Sequence, residues 1–362
     1  MKIKLEDFRL GLRKSFGIVN TTNNYEYLQS FYLKPSRQGG GACYLAGSNG
    51  TITFLAKINA ELDETDTEDV ILIPAVKLFQ VAQYSSADLE IKNGKYVQIK
   101  SGRAEWKVAK LDSDYIDDLP FEELDNKEFD DKFEADDLRF ILNSLLPITA
   151  GTNTLNTSFR QIYLDTEKAY TSDNSVVSYI KHATNKPYIL PDSVVKCIQD
   201  LLINYNGPVK FRYVREETMV IVSLTDEVFL FTVNADELMP IDDSVDLPLD
   251  SHILVDRAEM VRSLHRVMIS ASEDSSNVFM TATGDDIELH SENESGEECH
   301  DYVKVLKSQI EANKKMKLTA SNLIRVLGII KDTYAIIRYK SDDSYLVITD
   351  KDKKCYSLMM SQ

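Results

Sequence analysis

Three stretches of the chain place apolar residues at helical spacing behind an acidic start. Phe8, Leu12 and Phe16 fall four apart in LEDFRLGLRKSF. Leu138, Ile141, Leu142 and Leu145 keep the same three-and-four pattern in ADDLRFILNSL, and Met260, Leu264, Val267 and Met268 keep it in RAEMVRSLHRVM. Glu6 and Asp7, Asp136 and Asp137, and Asp256 and Glu259 lead the three stretches, where the positive end of a helix dipole favours them. A second helix is predicted in each third of the chain, in IPAVKLFQVAQYSS, LPDSVVKCIQDLLINY and LTASNLIRVLGIIKD. Pro74, Pro191–Asp192, and Thr319 with Ser321 supply the starts. Alternating runs follow each second helix: ADLEIKNGKYVQIKSGRAEWKVAKL, VKFRYVREETMVIVSLTDEVFLFTV and YAIIRYKSDDSYLVITDKDKKCYSLMM. They predict antiparallel strands. Asn93-Gly94 predicts a type I′ hairpin turn, and Asp342-Asp343-Ser344 holds the matching place in the third run.

The unit is helix, strands, helix, strands, three times in 362 residues. That period is domain-sized, well above the roughly 20–50 residues of a solenoid repeat. Acidic connectors over residues 112–137 and 235–251 separate the units. The expected architecture is α+β with three tandem similar domains, over residues 1–129, 130–249 and 250–362.

Composition adds an apparent contradiction. With 58 Asp+Glu against 41 Lys+Arg, the net charge is -17, and the pI is near 4.8. A simple basic nucleic-acid binder would have a pI above about 9. Hydrophobic residues make up 43%, enough for a sizeable core. Cys43, Cys197, Cys299 and Cys355 form no CxxC pair, and the histidines are scattered, so no metal or other cofactor is expected. The cysteine spacing, with no secretory segment and no long apolar run, fits a cytoplasmic protein without a membrane partner. Nucleotide-binding loops, HExxH and GxSxG are missing. The acidic pairs Asp117–Asp118, Asp130–Asp131 and Asp242–Asp243 leave Mg²⁺ chemistry as a minor alternative, since acidic runs are usually solvated loops. No catalytic residues are expected.

The cations are not spread evenly. The predicted helices and their ends carry Arg9, Arg13, Lys14 and Lys77, then Arg139 and Lys196, then Arg257, Arg262, His265, Arg266, Arg325 and Lys331. Arg9 with Arg13, and Arg262 with Arg266, share a helix face. Singly, each is an ordinary solvated helix residue. Together, basic helices and acidic connectors describe one face for a polyanion on a body that repels it.

Several segments resemble the bacterial-type β sliding clamp, the processivity subunit of replicative DNA polymerase. They are GACYLAGSNGTITFLAKI, IPAVKLFQVAQYSS, GKYVQIKSGRAEWKV with its Ser101-Gly102-Arg103, DSDYIDDLP and MPIDDSVDLP. The longest is LVDRAEMVRSLHRVMISASEDSSNVFMTATGDDIELHSENESGE. The resemblance implies a divergent, phage-type member that forms a head-to-tail homodimeric ring. Helices would line a central hole around duplex DNA, with antiparallel sheets outside. The basic residues named above (His265 aside) would face DNA without reading sequence. DNA polymerase and a separate ATP-dependent clamp loader would be partners. It further implies a peptide cleft between the second and third domains, built from Phe159, Ser172, Asp173, Asn174, Val176, Val177, Pro248, Leu358, Met359 and Met360. The ring contact would lie near residues 73–85 and the hairpin beyond, and near residues 277–289 and 299–305. Ser175-Val176 and the SLMMSQ tail depart from the family pattern, which implies different partner motifs. A clamp-fold interaction protein that does not encircle DNA is the alternative.

Overall fold

The computed structural model describes residues 1–19, 24–37, 41–64, 66–111, 119–151, 154–214, 217–233, 238–241, 249–271, 276–310, 314–340 and 345–360. The first third runs β1 (Lys2–Ile3), α1 (Leu5–Phe16), β2 (Ser30–Ser36), β3 (Ala42–Ser48), β4 (Ile52–Glu61), β5 (Ile71–Pro74), α2 (Ala75–Tyr84), β6 (Leu89–Lys92), β7 (Val97–Ser101) and β8 (Ala104–Val108). The second runs β9 (Asp131–Glu134), α3 (Ala135–Leu145), β10 (Gln161–Leu164), β11 (Lys168–Ser172), β12 (Val176–Lys181), β13 (Tyr188–Pro191), α4 (Asp192–Leu201), β14 (Pro208–Val214), β15 (Met219–Ser223) and β16 (Glu227–Thr232). The third runs β17 (Ser251–Asp256), α5 (Arg257–Met268), β18 (Asn277–Ala282), β19 (Asp286–Glu292), β20 (Glu298–Gln309), β21 (Lys314–Thr319), α6 (Ala320–Ile329), β22 (Tyr334–Tyr339), β23 (Tyr345–Thr349) and β24 (Cys355–Met360). Strand, helix, four strands, helix, three strands recurs in all three. The six predicted helices are all present, and the fold is the α+β repeat that the periodicity implied.

By contacts the chain forms two compact units, residues 1–138 with 196–236, and residues 139–195 with 237–362. Each unit holds one antiparallel sheet. The first follows β8-β7-β6-β1-β4-β16-β15-β14-β9, with β3, β2 and β5 branching from β4. The second follows β13-β10-β11-β12-β24-β23-β22-β17-β20-β19-β18-β21. In the first unit one sheet face is covered by α1 and α2, whose Phe8, Leu12, Leu78 and Val81 pack on Leu33, Leu45, Ile58 and Ile73. Burying such a face supplies most of a helix's stability. In the third repeat Asp256 caps α5 by accepting the Glu259 N–H at 2.8 Å.

Two expectations need correction. The hairpin at Asn93-Gly94 exists, but its last pair is Lys92↔Gln98, and neither Asn93 nor Gly94 has positive φ. A two-residue turn would shift the pairing by an odd step and turn Val97 and Ile99 out of the core they share with Leu89 and Ile91. One-sided burial therefore selects the longer loop. The first acidic connector is also not wholly solvated. Phe121 and Leu124 are buried against Tyr32, Tyr44, Leu55 and Leu230 on the sheet face away from the helices. Asp130, read as a potential Mg²⁺ ligand, accepts the Tyr213 N–H at 2.9 Å, and Asp131 is buried in β9. Residues 117–118 and 242–243 lie outside the described residues.

Asp125 ends this docked turn. Lys57 Nζ donates to Oδ1 at 2.8 Å and the Tyr44 hydroxyl to Oδ2 at 2.6 Å. The bond from Lys57, then that from Tyr44, holds the Asp125 carboxyl below its ordinary range. A depressed carboxyl stabilises the fold above the ordinary range and loses that contribution as pH falls through it. Asp125→Asn should therefore lower the melting midpoint at pH 7 by a degree or two, consistent with about 0.2–1 kcal/mol for an exposed pair. The difference from wild type should shrink as pH falls below the ordinary carboxylate range, which thermal melts from pH 7 downward would test. No helix among the described residues is long and apolar enough to cross a membrane.

Candidate functional site

The repeats can be placed in register through their own hydrogen bonding. Ile3, Phe133 and Val255 each lie two residues before their helix and pair with Leu89, Val209 and Ala335. Following the next two hairpins makes Ala104, Glu227 and Cys355 equivalent. Ile3↔Ala60 and Val255↔Val305 make Ala60 equivalent to Val305, and hence Ala56 to Asp301. The thirds are joined at equivalent seams. In the first unit β16 pairs with β4 from Glu227↔Ala56 to Phe231↔Ile52. In the second, β24 pairs with β12 from Cys355↔Ile180 to Met359↔Val176. The third copy of this seam is left unmade. Among the described residues β8 pairs only with β7, and the equivalent stretch of β20 only with β19. β18 and β19 have partners on both sides, so the expected contact stretch near residues 277–289 offers no open edge.

The seam at β12 and β24 gathers most of the expected cleft residues. Val176 faces Met359 and Val177 faces Leu358, and the Met360 N–H donates to the Ser175 carbonyl at 3.2 Å. Val176 and Met359 are buried on one face of the sheet, while Val177 and Leu358 are half-buried on the other and Met360 is exposed. The turn between β11 and β12 is held by its own side chains. Asp173 Oδ1 accepts the N–H groups of Ser175 and Val176 at 3.0 and 2.9 Å, Ser172 Oγ accepts that of Asn174, and Asn174 takes φ 77°. Asx turns of this kind suit Asp and Asn. Phe159 is half-buried in a 3-10 turn whose carbonyl accepts the Ala150 N–H. Pro248 lies outside the described residues.

The basic residues divide by what they already hold. Arg325 braces the turn between β11 and β12 rather than standing on an open helix face. It donates to Asp173 Oδ2 at 2.9 Å and to the Pro147 carbonyl at 2.8 Å. Arg9 closes the end of α2, donating to the carbonyls of Ala82, Gln83 and Ser85. Arg257 donates to the Asp332 carbonyl. Lys14 is ion-paired with Glu227 at 2.5 Å. Arg262 pairs with Glu259, and Arg266 with Glu259 and Asp301. Burial alone would raise the Asp301 carboxyl, but hydrogen bonds from Ser263 and Arg266 outweigh it and lower it. Arg139 is half-buried and Lys196 exposed. Lys331 sits 3.5 Å over the Phe140 ring. Arg13 and Lys77 are exposed and make no hydrogen bond or ion pair among the described residues.

No family model matches the sequence, and no curated protein matches it. Solved structures do. The DNA polymerase sliding clamp from Bacillus subtilis superposes with a TM-score of 0.86 at 13% identity, over 100% of this chain and 98% of that one. The beta sliding clamp of C. crescentus gives 0.87 at 15%, over 100% and 98%. The DNA polymerase III subunit beta from Pseudomonas aeruginosa gives 0.85 at 14%, over 100% and 99%. The chain has the fold of these bacterial clamps along its whole length, as the motif resemblance implied.

Proposed function

We propose that two copies of this chain close head to tail into a ring around duplex DNA and tether a replicative DNA polymerase to its template. The observation that carries this reading is the unmade third seam, with its two open strands, β8 and β20, in one chain of full clamp fold. Equivalence with the two seams already made sets Ala104 opposite Asp301, Glu105 opposite His300, Trp106 opposite Cys299 and Lys107 opposite Glu298 of a second copy. Opposite charges meet at Lys107 with Glu298, which favours this register over its neighbours.

A ring holds DNA by topology, so it needs no base contacts and no catalysis. Basic helix residues facing phosphates across water give attraction without a preferred register. The polymerase gains processivity because tethering raises its effective concentration at the primer end. Polymerase and an ATP-dependent loader would dock short motifs beside Val177, Leu358 and Met360, where adaptable methionine suits varied partners.

The second reading is a clamp-fold interaction protein that does not encircle DNA. Its support is the quenching of Lys14, Arg262 and Arg266 by acidic partners. Loading onto closed and linearised plasmid separates the two. A ring should stay on closed circles through gel filtration and run off after a single cut. Equal retention on both forms, or none on either, would favour the second reading.

A further inference from the structure

On the face of the second sheet away from α5, Phe279, His290 and His300 stand in one row across β18, β19 and β20, as directly opposed pairs. The His290 and His300 rings are stacked, 4.1 Å between centroids. Glu298 shares this face, its Oε2 4.0 Å from His300 Nε2. One ligand atom from each of His290, Glu298 and His300 lies within 4.8 Å of the other two. His290 Nε2 is buried and has no hydrogen-bond partner among the described residues, a state that costs free energy unless something fills it. On the far side of His300, Nδ1 is 3.0 Å from Glu288 Oε1, which the Tyr302 hydroxyl also approaches at 3.4 Å.

We propose that His290, Glu298 and His300 bind a divalent transition-metal ion of the zinc class, with Glu288 orienting His300. The Glu288 carboxylate makes Nδ1 the protonated nitrogen and leaves the Nε2 lone pair to the ion, the usual outer arrangement of a metal-bound imidazole. Two imidazoles and one carboxylate suit Zn²⁺, Co²⁺ or Ni²⁺, whereas Mg²⁺ and Ca²⁺ take oxygen sets. Tetrahedral zinc ligands at about 2.0–2.1 Å from the ion sit roughly 3.3 Å apart, so the three side chains must draw together and the stacked rings must tilt. Glu298 and His300 are exposed on the open side of β20 and can do so. The ion would satisfy the His290 nitrogen, which a plain surface histidine pair leaves unexplained. The sequence hides the site because His290 and His300 become neighbours only through the β19–β20 register.

The three ligands come from one chain, but in the register proposed above Glu105 and Lys107 of a second copy come against His300 and Glu298, so uptake is titrated on the separated chain. Titration of the full-length protein with Zn²⁺ should give one tightly bound ion per chain. That stoichiometry should hold below the concentration of self-association, and dimer formation should weaken uptake because Lys107 of the second copy competes for Glu298. His290→Ala and His300→Ala should each abolish stoichiometric uptake, and Glu288→Gln should weaken it about 10-fold or more. Bound Co²⁺ should show tetrahedral d–d absorption without a thiolate charge-transfer band, unchanged in Cys299→Ser. His300 is exposed, so His300→Ala should keep the wild-type melting midpoint, and for the half-buried His290 a circular-dichroism spectrum like that of wild type shows that the variant is folded. No stoichiometric uptake by wild type, or uptake that survives both histidine variants, would overturn the proposal.

Discussion

Replacing Trp106 by Cys should turn the chain into a covalent dimer through its native Cys299. β7 and β8 are joined by the two-residue loop Gly102-Arg103, with Gly102 at φ 58°. The closing pair of such a hairpin, Ser101↔Ala104, exchanges backbone hydrogen bonds. The backbone groups of Ala104, Trp106 and Val108 therefore turn inward to β7, and those of Glu105 and Lys107 turn outward. In the expected register Trp106 and Cys299 form a non-hydrogen-bonded pair, with Cα atoms about 4.5 Å apart, inside the range a disulfide accepts. Competing thiols are slow. Burial pushes Cys43 and Cys355 up to about 12 and Cys197 up to about 11. Mild oxidation should give a product of twice 41.1 kDa on a non-reducing gel, with two disulfides per ring. Rings oxidised after loading onto closed plasmid should then survive high salt and denaturant. Trp106→Ser carries the same packing loss without the thiol and should give neither result. A dimer by mass that fails to cross-link would mean that the register is wrong.

That register was beyond reach of the sequence, although the fold was not. Helical spacing at Phe8 and Leu12 or at Met260 and Leu264 needs only apolar character. It therefore persists in a chain that shares 13–15% identity with clamps of the same fold. Strand register depends on which face is buried and on loop length. Asn93-Gly94 predicted the wrong loop because local turn preference lost to the burial of Val97 and Ile99. The partners of the cations were equally hidden. Lys14 and Glu227 are 213 positions apart, and Arg325 and Asp173 are 152 apart. Counting basic residues on helix faces therefore took no account of the acidic partners that Lys14, Arg262 and Arg266 already hold. It also assigned Arg325 to DNA when its guanidinium braces the Asp173 turn. The expected cleft residues were assigned by order along the chain. The division of Val176 and Val177 onto opposite faces, by contrast, follows from strand alternation once β12 is paired with β24.

Reversing Arg13 and Lys77 together should weaken sequence-independent DNA binding far more than truncating Arg262. The difference rests on what each cation already holds. Arg262 is clamped to Glu259 and Arg266 to Glu259 and Asp301, so much of their field is cancelled locally. Arg13 and Lys77 carry no such partner among the described residues, and each occurs twice in a dimer. Every phosphate contact adds about 0.9 to the steepness of log affinity against log salt. Losing four contacts per ring should flatten that slope by about 3–4. If these helices face DNA as proposed, adding four anions there should cost at least tenfold in affinity near 100 mM salt, roughly 1.4 kcal/mol. Arg262→Ala should change affinity by less than about threefold, as expected for a charge already spent in an exposed pair. Equilibrium binding of wild type and variants to duplex DNA over a salt series would read both quantities. The opposite order of effects would mean that DNA meets α5 rather than α1 and α2. Indifference to both would leave the chain with a clamp's fold but no hold on DNA. The net charge of -17 sharpens this test. With so many carboxylates elsewhere, any attraction to phosphate on the helix side would rest on its unpaired cations, of which Arg13 and Lys77 are two.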